Sequence, residues 1–447
     1  MRWLYPYDGT VFPRGLLAPW LMWEGGAADA VYVHIQSKLF EYRGCLVPSG
    51  PGQLPLPQVV WDAACAQTGG PSDPFTIELS ALGGGTVTGP IREKFVISGA
   101  TLKGSVFYNS YNSALVSGSV GMSLWGGGMM GNGAILRIPP GGQAEVFLGG
   151  DNCVGCHSVS ANGTRLVTEA GIPTISAGSS YSITQTTPPN PPPLVNAPSP
   201  SFVALYPDGS MYLSTANPSG TMDMLGLSVG HNWNRVPSLL YETDTGLPIP
   251  DSGIPETALM PMFSPDGTLL AFNDIAIDNA RGLALMDFDA ATRKASNYRV
   301  VFTDPELFPG WPFFLPDNRA IIFTRGESRQ FDGKGIGIGG STVGPTSDIY
   351  SLDLGTGAIT ILARAMGFDT PADAAVNATY LPFGAEELHH NYFPTVSPVA
   401  AGGYFWLFFD SMRHIGNLGM HRQLFGVAIN ALPSEEFAGS YGEDKSN

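Results

Sequence analysis

Charge is scarce in this chain. Of its 447 residues only 13% are Asp, Glu, Lys or Arg, about half the share of an ordinary globular protein. The 22 Lys and Arg are outnumbered by 38 Asp and Glu, for a net charge of −16, and they form no basic cluster. A phosphate backbone is held by clustered cations, so nucleic-acid binding is excluded. No stretch of apolar residues is long enough for a transmembrane helix. The opening Met-Arg-Trp-Leu-Tyr-Pro also lacks the apolar core of a secretion signal. Only four cysteines occur, Cys45, Cys65, Cys153 and Cys156, too few for a disulfide scaffold.

What is abundant is glycine and proline. Together 57 Gly and 38 Pro fill about a fifth of the chain, against roughly 12% in average usage. Helix breakers at that density exclude a helical bundle, a coiled coil or a doubly wound α/β fold. Apolar residues reach 43%, enough to bury a sizeable core, so the chain is not disordered. The class left is all-β.

A turn signature recurs between apolar stretches. It reads Tyr206-Pro-Asp-Gly-Ser and Ser264-Pro-Asp-Gly-Thr, with Leu315-Pro-Asp-Asn-Arg, Ser160-Ala-Asn-Gly-Thr and a degenerate Ser397-Pro-Val-Ala as further copies. Proline presets φ, the aspartate side chain caps the turn, and glycine takes a positive φ, so a strand is expected on either side. Downstream, Asp348–Leu362 alternates around Gly-Thr-Gly and reads as a second hairpin. The copies are spaced by 46, 58, 51 and 82 residues. Two hairpins at such intervals describe the blade of a β-propeller. The longest interval contains two insertions, the glycine-rich Asp332–Pro345 and Phe368–Leu388.

Before residue 150 the pattern is looser. Tyr5–Phe12 resembles another turn signature, Leu16–Trp23 reads as the strand after it, and Ala134–Phe147 reads as a hairpin closing the same blade. Between them Val31–Tyr42, Phe75–Leu82, Thr86–Ile97 and Leu102–Tyr108 suggest a small inserted β-sandwich. The predicted architecture is therefore a six-bladed β-propeller over residues 1–26 and 132–434, with a β-sandwich at 27–131 inserted in the first blade. Leu424–Ile429 closes the ring. Thr186–Ser201, with seven prolines, reads as a stiff connector, and 435–447 as a polar tail.

One motif carries chemistry. Cys153-Val-Gly-Cys156-His157 fits the C-x-x-C-H pattern of covalent haem c attachment. Two thiols three apart reach the two vinyl groups of one porphyrin, and the adjacent imidazole swings under the iron. With four cysteines and seven histidines the pattern arises by chance in roughly 4 × 10⁻⁴ of chains of this composition. Zinc would need a second ligand pair, and a thioredoxin-like dithiol would need a βαβ unit. Neither is present. Aligning the turn signatures places His157 level with Val203, Pro261, Pro312 and Pro394, each three residues before its turn at the start of an innermost strand. Equivalent positions ring a propeller's channel, so the haem is expected near one mouth of it.

A six-coordinate haem needs a second axial ligand, usually Met or His. Met260 is level with Cys156, and Met262 lies two residues on. His389 and His390 precede Pro394, and Met129 and Met130 lie shortly before the motif. Met260 and His390 are the candidates singled out, although a methionine beside a propeller strand is more often core filler. His34, His231, His414 and His421 read as surface or packed histidines. Gly335–Gly340 formally matches G-x-G-x-x-G, but no helix follows to cradle a phosphate. Cys45 and Cys65 are spaced so that a disulfide within the inserted domain is open to them.

The stretches Cys153–Leu166, Met262–Thr268 and Tyr392–Tyr404 resemble the TolB-like propeller proteins of myxobacterial type that carry a c-type haem motif within a blade. The likeness runs over most of the chain, including Tyr5–Pro19. It implies an exported, monohaem, six-bladed protein and little about activity. Asn162 departs from the family's aspartate in the blade turn. Because covalent haem is attached outside the cytoplasm, residence is expected in the periplasm or at the cell surface, with a leader already removed. The leading expectation is single-electron transfer to a redox partner or to like subunits. A propeller interaction module with a structural haem and a peroxidase-like haem enzyme are the alternatives, the last needing an open iron site with His389 or His390 beside it.

Overall fold

Alternating side chains and glycine turns make the chain nearly all β. The computed structural model describes residues 1–111, 115, 133–149, 154–170, 177–184, 188–197, 202–215, 237–327, 345–385, 387–418 and 422–431. They fall into two compact units, one of Met1–Lys103, Pro140–Gln143 and Thr360–Asn447, the other of Gly104–Pro139 and Ala144–Ile359.

The first unit opens with eight strands: β1 (Arg2–Tyr5), β2 (Thr10–Arg14), β3 (Trp20–Glu24), β4 (Ala30–Gln36), β5 (Glu41–Leu46), β6 (Gln53–Pro55), β7 (Phe75–Gly83) and β8 (Thr86–Thr101). They form a three-stranded sheet ordered β1-β3-β6 and a five-stranded sheet ordered β2-β8-β7-β4-β5. Period-two alternation in β4 buries Val31, Val33 and Ile35 and turns Tyr32 outward. Helix α1 (Gln58–Gln67) occupies ten residues free of Gly and Pro, and its Trp61, Ala64 and Cys65 join the same core.

The second unit is a run of antiparallel sheets, each a simple meander. The first is β9 (Val106–Tyr111), β10 (Gly133–Ile138) and β11 (Glu145–Leu148). Next come β12 (Val154–Val159), β13 (Arg165–Ala170), β14 (Ala177–Ser182) and β15 (Val195–Ala197), then β16 (Ala204–Leu205), β17 (Met211–Thr215), β18 (Ser238–Glu242) and β19 (Pro248–Ile249). The last two are β20 (Ala258–Phe263), β21 (Leu269–Asp274), β22 (Gly282–Asp289) and β23 (Lys294–Thr303), and β24 (Phe308–Phe314), β25 (Ala320–Gly326), β26 (Ser347–Asp353) and β27 (Ile359–Ile361). The first strands β12, β16, β20 and β24 lie successively beside one another. The chain then returns to the first unit through the short helices α2 (Ala363–Met366) and α3 (Pro371–Ala375). It ends there in a sheet of β28 (Asn391–Val396), β29 (Tyr404–Ser411) and β30 (Gln423–Asn430).

The repeated turns share one hydrogen bond. In each, the fourth residue's N–H donates to the first residue's carbonyl: Gly163 to Ser160, Gly209 to Tyr206 and Gly267 to Ser264 at 2.8 Å, and Asn318 to Leu315 at 2.9 Å. All four donors have positive φ, from +59° to +79°. Asp266 Oδ1 accepts from Ser264 Oγ at 2.6 Å, Thr268 N at 3.0 Å and Thr268 Oγ1 at 2.8 Å. Asn162 Oδ1 makes the matching set from Ser160 Oγ, Thr164 N and Thr164 Oγ1 at 2.7, 3.0 and 2.8 Å. Asn162 therefore caps its turn with the same set of bonds that Asp266 makes.

Two expectations about the N-terminal region differ from the structure. The Tyr5–Phe12 turn forms, with Gly9 at φ +80° and Thr10 N–H donating to the Tyr7 carbonyl at 3.1 Å. Its flanking strands part, however: β1 pairs with β3 and β2 pairs in parallel with β8. The β10–β11 hairpin, expected beside those opening strands, pairs instead with β9, from the segment assigned to the sandwich. A hairpin's own turn fixes only its two strands, and the third partner is chosen by packing that local pattern does not encode. The tail from Glu435 and the Gly335–Gly340 loop lie outside the described residues.

Candidate functional site

The residues aligned with His157 by sequence occupy one register in the structure. In β20, Leu259 pairs with Asn273 and Met262 with Ala271, so Met260 and Pro261 face Phe272 alone. In β24, Gly310 pairs with Thr324 and Phe313 with Ile322, leaving Trp311 and Pro312 opposite Phe323. β28 repeats the pattern with Phe393 and Pro394. Each is a bulge with one extra residue. β12 carries it too: Gly155 pairs with Glu169 and His157 with Thr168, and Cys156 is the extra residue. Proline has no N–H for a ladder bond, whereas His157 does, which is why His157 is paired where Pro261 and Pro312 are not.

The bulge has a backbone signature. Phe202, Met260, Trp311 and Phe393, all level with Cys156, have φ of +49°, +48°, +52° and +54°. Left-handed backbone is uncommon for bulky side chains and costs about 1–2 kcal/mol at each position. Sequence reading missed this feature, although a signal was there: Met-Pro, Trp-Pro and Phe-Pro pairs at the same distance before three turns.

His157 stands on β12 with a partly buried ring. Burial disfavours the imidazolium and pushes its pKa down to about 4, against a smaller upward pull from a hydrogen bond to the Phe107 backbone carbonyl on β9. The ring is thus neutral at pH 7, with one nitrogen tied to that carbonyl. A histidine that binds a metal through one nitrogen usually donates its other N–H to a carbonyl or carboxylate, which fixes tautomer and ring plane. This chain supplies that arrangement, so His157 fits the role of a haem ligand. Cys153, the side chain of Cys156, Met129, Met130, His231 and His421 lie outside the described residues.

The proposed second ligands occupy different settings. Met260 is buried in a cluster of Phe202, Leu259, Ile275 and Ala280, with Trp311 packed against it. Met262 is partly buried against the core between β21, β22 and β25. His390, in the first unit, sits with Nδ1 3.3 Å from Glu387 Oε2. His389 holds Asn377 Oδ1 at 2.7 Å through Nε2, and its ring lies 5.2 Å from that of Phe368. His34 lies between Glu41 and Glu78, and His414 stacks on Phe383 at 5.2 Å.

The Cys45–Cys65 disulfide does not form. Both thiols are free. The alternation of β5 turns Cys45 to solvent, while Cys65 lies on the core face of α1 with Val60, Trp61 and Ala64. Among the described residues no three His, Cys, Asp or Glu side chains gather as a metal-binding group, and no helix is long and apolar enough to cross a membrane.

No protein-family model and no curated protein matches the chain. Solved structures give distant likenesses. TolB from Acinetobacter baumannii is 13% identical, with 85% of this chain and 80% of that one covered and a TM-score of 0.37. A putative TolB from Agrobacterium tumefaciens is 14% identical over 51% of this chain and 73% of its own, at a TM-score of 0.35. The hydrazine synthase of Kuenenia stuttgartiensis is similar at 11% identity, 66% and 86% coverage and a TM-score of 0.34.

Proposed function

We propose that the chain is an exported monohaem c-type cytochrome on a six-bladed β-propeller scaffold, transferring single electrons within a redox complex or an assembly of like subunits. The observation that carries this reading is His157: it completes Cys153-Val-Gly-Cys156-His157, is held neutral by burial, and is oriented by the Phe107 carbonyl. Cys153 and Cys156 would hold the porphyrin through thioethers, and His157 would present its remaining nitrogen to the iron. When bound, the haem supplies one-electron exchange at that iron. The scaffold fixes the position of His157: its own backbone is paired to Thr168, and its ring is bonded to the neighbouring sheet. The blades of this reading are the six successive meanders that start at β9, β12, β16, β20, β24 and β28. Covalent haem attachment outside the cytoplasm places the protein in the periplasm or at the cell surface.

The test is to express the chain behind an export signal in a host that attaches haem c. The purified protein is then assayed for covalent haem per chain, and its spectra are recorded oxidised and reduced, with and without carbon monoxide. One haem per chain, low-spin and indifferent to carbon monoxide, is the expected result. Iron that binds carbon monoxide readily would favour a ligand-binding enzyme, and absence of covalent haem would overturn the reading.

A further inference from the structure

The left-handed bulge residues of the second unit converge. The rings of Phe202 and Trp311, from sheets two apart, meet edge to face with centroids 5.4 Å apart. Met260, from the sheet between them, shares their cluster, and its sulfur would stand only 3.3 Å from a Cβ placed on Gly310. Ile275 and Ala280, at the two ends of the loop after β21, complete the cluster, and Ala280 is 1% exposed there with φ +75°. Left-handed backbone at bulky residues such as Phe202, Met260 and Trp311 is maintained only where the surroundings over-determine it, and such strain concentrates at ligand-holding sites.

The motif's sheet adjoins this cluster in register. Leu205 N–H donates to Ser158 Oγ at 3.1 Å, and Val203 packs with Val167, so β12–β13 flank the first strand of the next sheet. Cys156 is the extra residue of its bulge, and Phe202, with φ +49°, is level with it ahead of the first strand of that next sheet.

We infer that Phe202, Met260 and Trp311 form the apolar seat against which the haem held at Cys156 lies, and that they set its midpoint potential. This rests on the cytochrome reading above. The seat brings carbon and sulfur to the porphyrin instead of water. A ferric haem carries more positive charge than a ferrous one, so a desolvated seat favours the reduced form and raises the potential.

The experiment is spectroelectrochemical titration of the full haem-loaded chain and of its Phe202→Ser and Trp311→Gln variants, with covalent haem content measured on each. Both variants are expected to keep one haem and to show a lower midpoint potential. Phe288→Leu, in the separate core between the β16 and β20 sheets, is expected to lower the melting temperature with the potential unmoved. If Phe202→Ser does not fold, Phe202→Tyr retains the ring, adds a hydroxyl, and should shift the potential in the same direction. A potential unchanged in the folded, haem-bearing seat variants overturns the seat and leaves the cytochrome reading standing. An unsubstituted chain without covalent haem overturns both.

Discussion

The Nδ2 of Asn162 donates to the backbone carbonyl of Asp208 at 2.8 Å, joining the turn of one sheet to the corresponding turn of the next. The Asn162 N–H adds a second tie, to the Pro207 carbonyl at 3.0 Å. An aspartate here could make every bond of Asn162 Oδ1 but not the one from Nδ2, and it would place a carboxylate against a carbonyl oxygen. Asn162→Asp, which restores the residue usual in the repeated turn, is therefore expected to destabilise the protein by about 1 kcal/mol. Denaturant unfolding of the two proteins, with equal m-values, would measure it.

The turn glycines differ in what surrounds them. A Cβ on Gly163 would meet nothing within 4 Å, whereas one on Gly267 would overlap the Tyr206 hydroxyl and ring carbons. Both have positive φ, +69° and +76°. Gly163→Ala should cost about 1 kcal/mol from backbone strain alone. Gly267→Ala should cost about 2 kcal/mol more, because Tyr206 is held by Phe263 and Phe288 at 5.4 and 5.6 Å and cannot yield freely. Equal melting temperatures for the two variants would contradict this account.

Local turn chemistry made the fold legible. Pro-Asp-Gly dictates its own geometry, and the alignment built on it puts Met260 level with Cys156 and Pro261, Pro312 and Pro394 level with His157, although the bulge at that level is not announced by it. Pairing between distant segments was not legible: nothing in Val106–Tyr111 announces a preference for Gly133–Ile138 over other strands, because both read as half-buried. Helix α1 was missed for the opposite reason. Its ten residues look unremarkable in a chain read as glycine-broken throughout, and its partners Phe12 and Phe95 come from elsewhere in the sequence. At the site, Cys153-Val-Gly-Cys156-His157 stands out by its spacing, while the Phe107 carbonyl is invisible because any residue could supply it.

The two free thiols should differ sharply in reactivity. Cys45 is exposed, whereas burial pushes the Cys65 thiol pKa up. Only thiolate reacts at an appreciable rate, so native protein should be alkylated at Cys45 within minutes and at Cys65 only after unfolding. Peptide mapping after a short iodoacetamide pulse reads both sites. A Cys45–Cys65 cross-linked peptide in protein purified under non-reducing conditions would contradict the structure.

Met260 tests whether its sulfur is a ligand or packing. Its cluster is apolar on every side named, and leucine has nearly the same volume. Met260→Leu should therefore keep a low-spin spectrum and cost under about 1.5 kcal/mol of stability. Conversion to a high-spin, carbon monoxide-binding iron would identify Met260 as the axial ligand instead.

Asp410, on β29, is paired across the sheet with Tyr392 and Leu424. Burial raises its pKa from 3.8 to about 6, and the nearby Arg422 guanidinium offsets only part of that. The folded state therefore holds a proton that the unfolded chain has lost between those two values. Fewer protons bound on unfolding means that stability falls as pH rises from about 4 to about 6, and levels off above that. Two pKa units correspond to about 3 kcal/mol, and partial solvent access brings the expected effect at pH 7 nearer 2 kcal/mol. Asp410→Asn should consequently stabilise the protein by that amount at pH 7 and leave it unchanged at pH 3. Chemical denaturation at the two pH values decides the matter: a difference independent of pH would mean that the Asp410 carboxyl keeps an ordinary pKa in the fold.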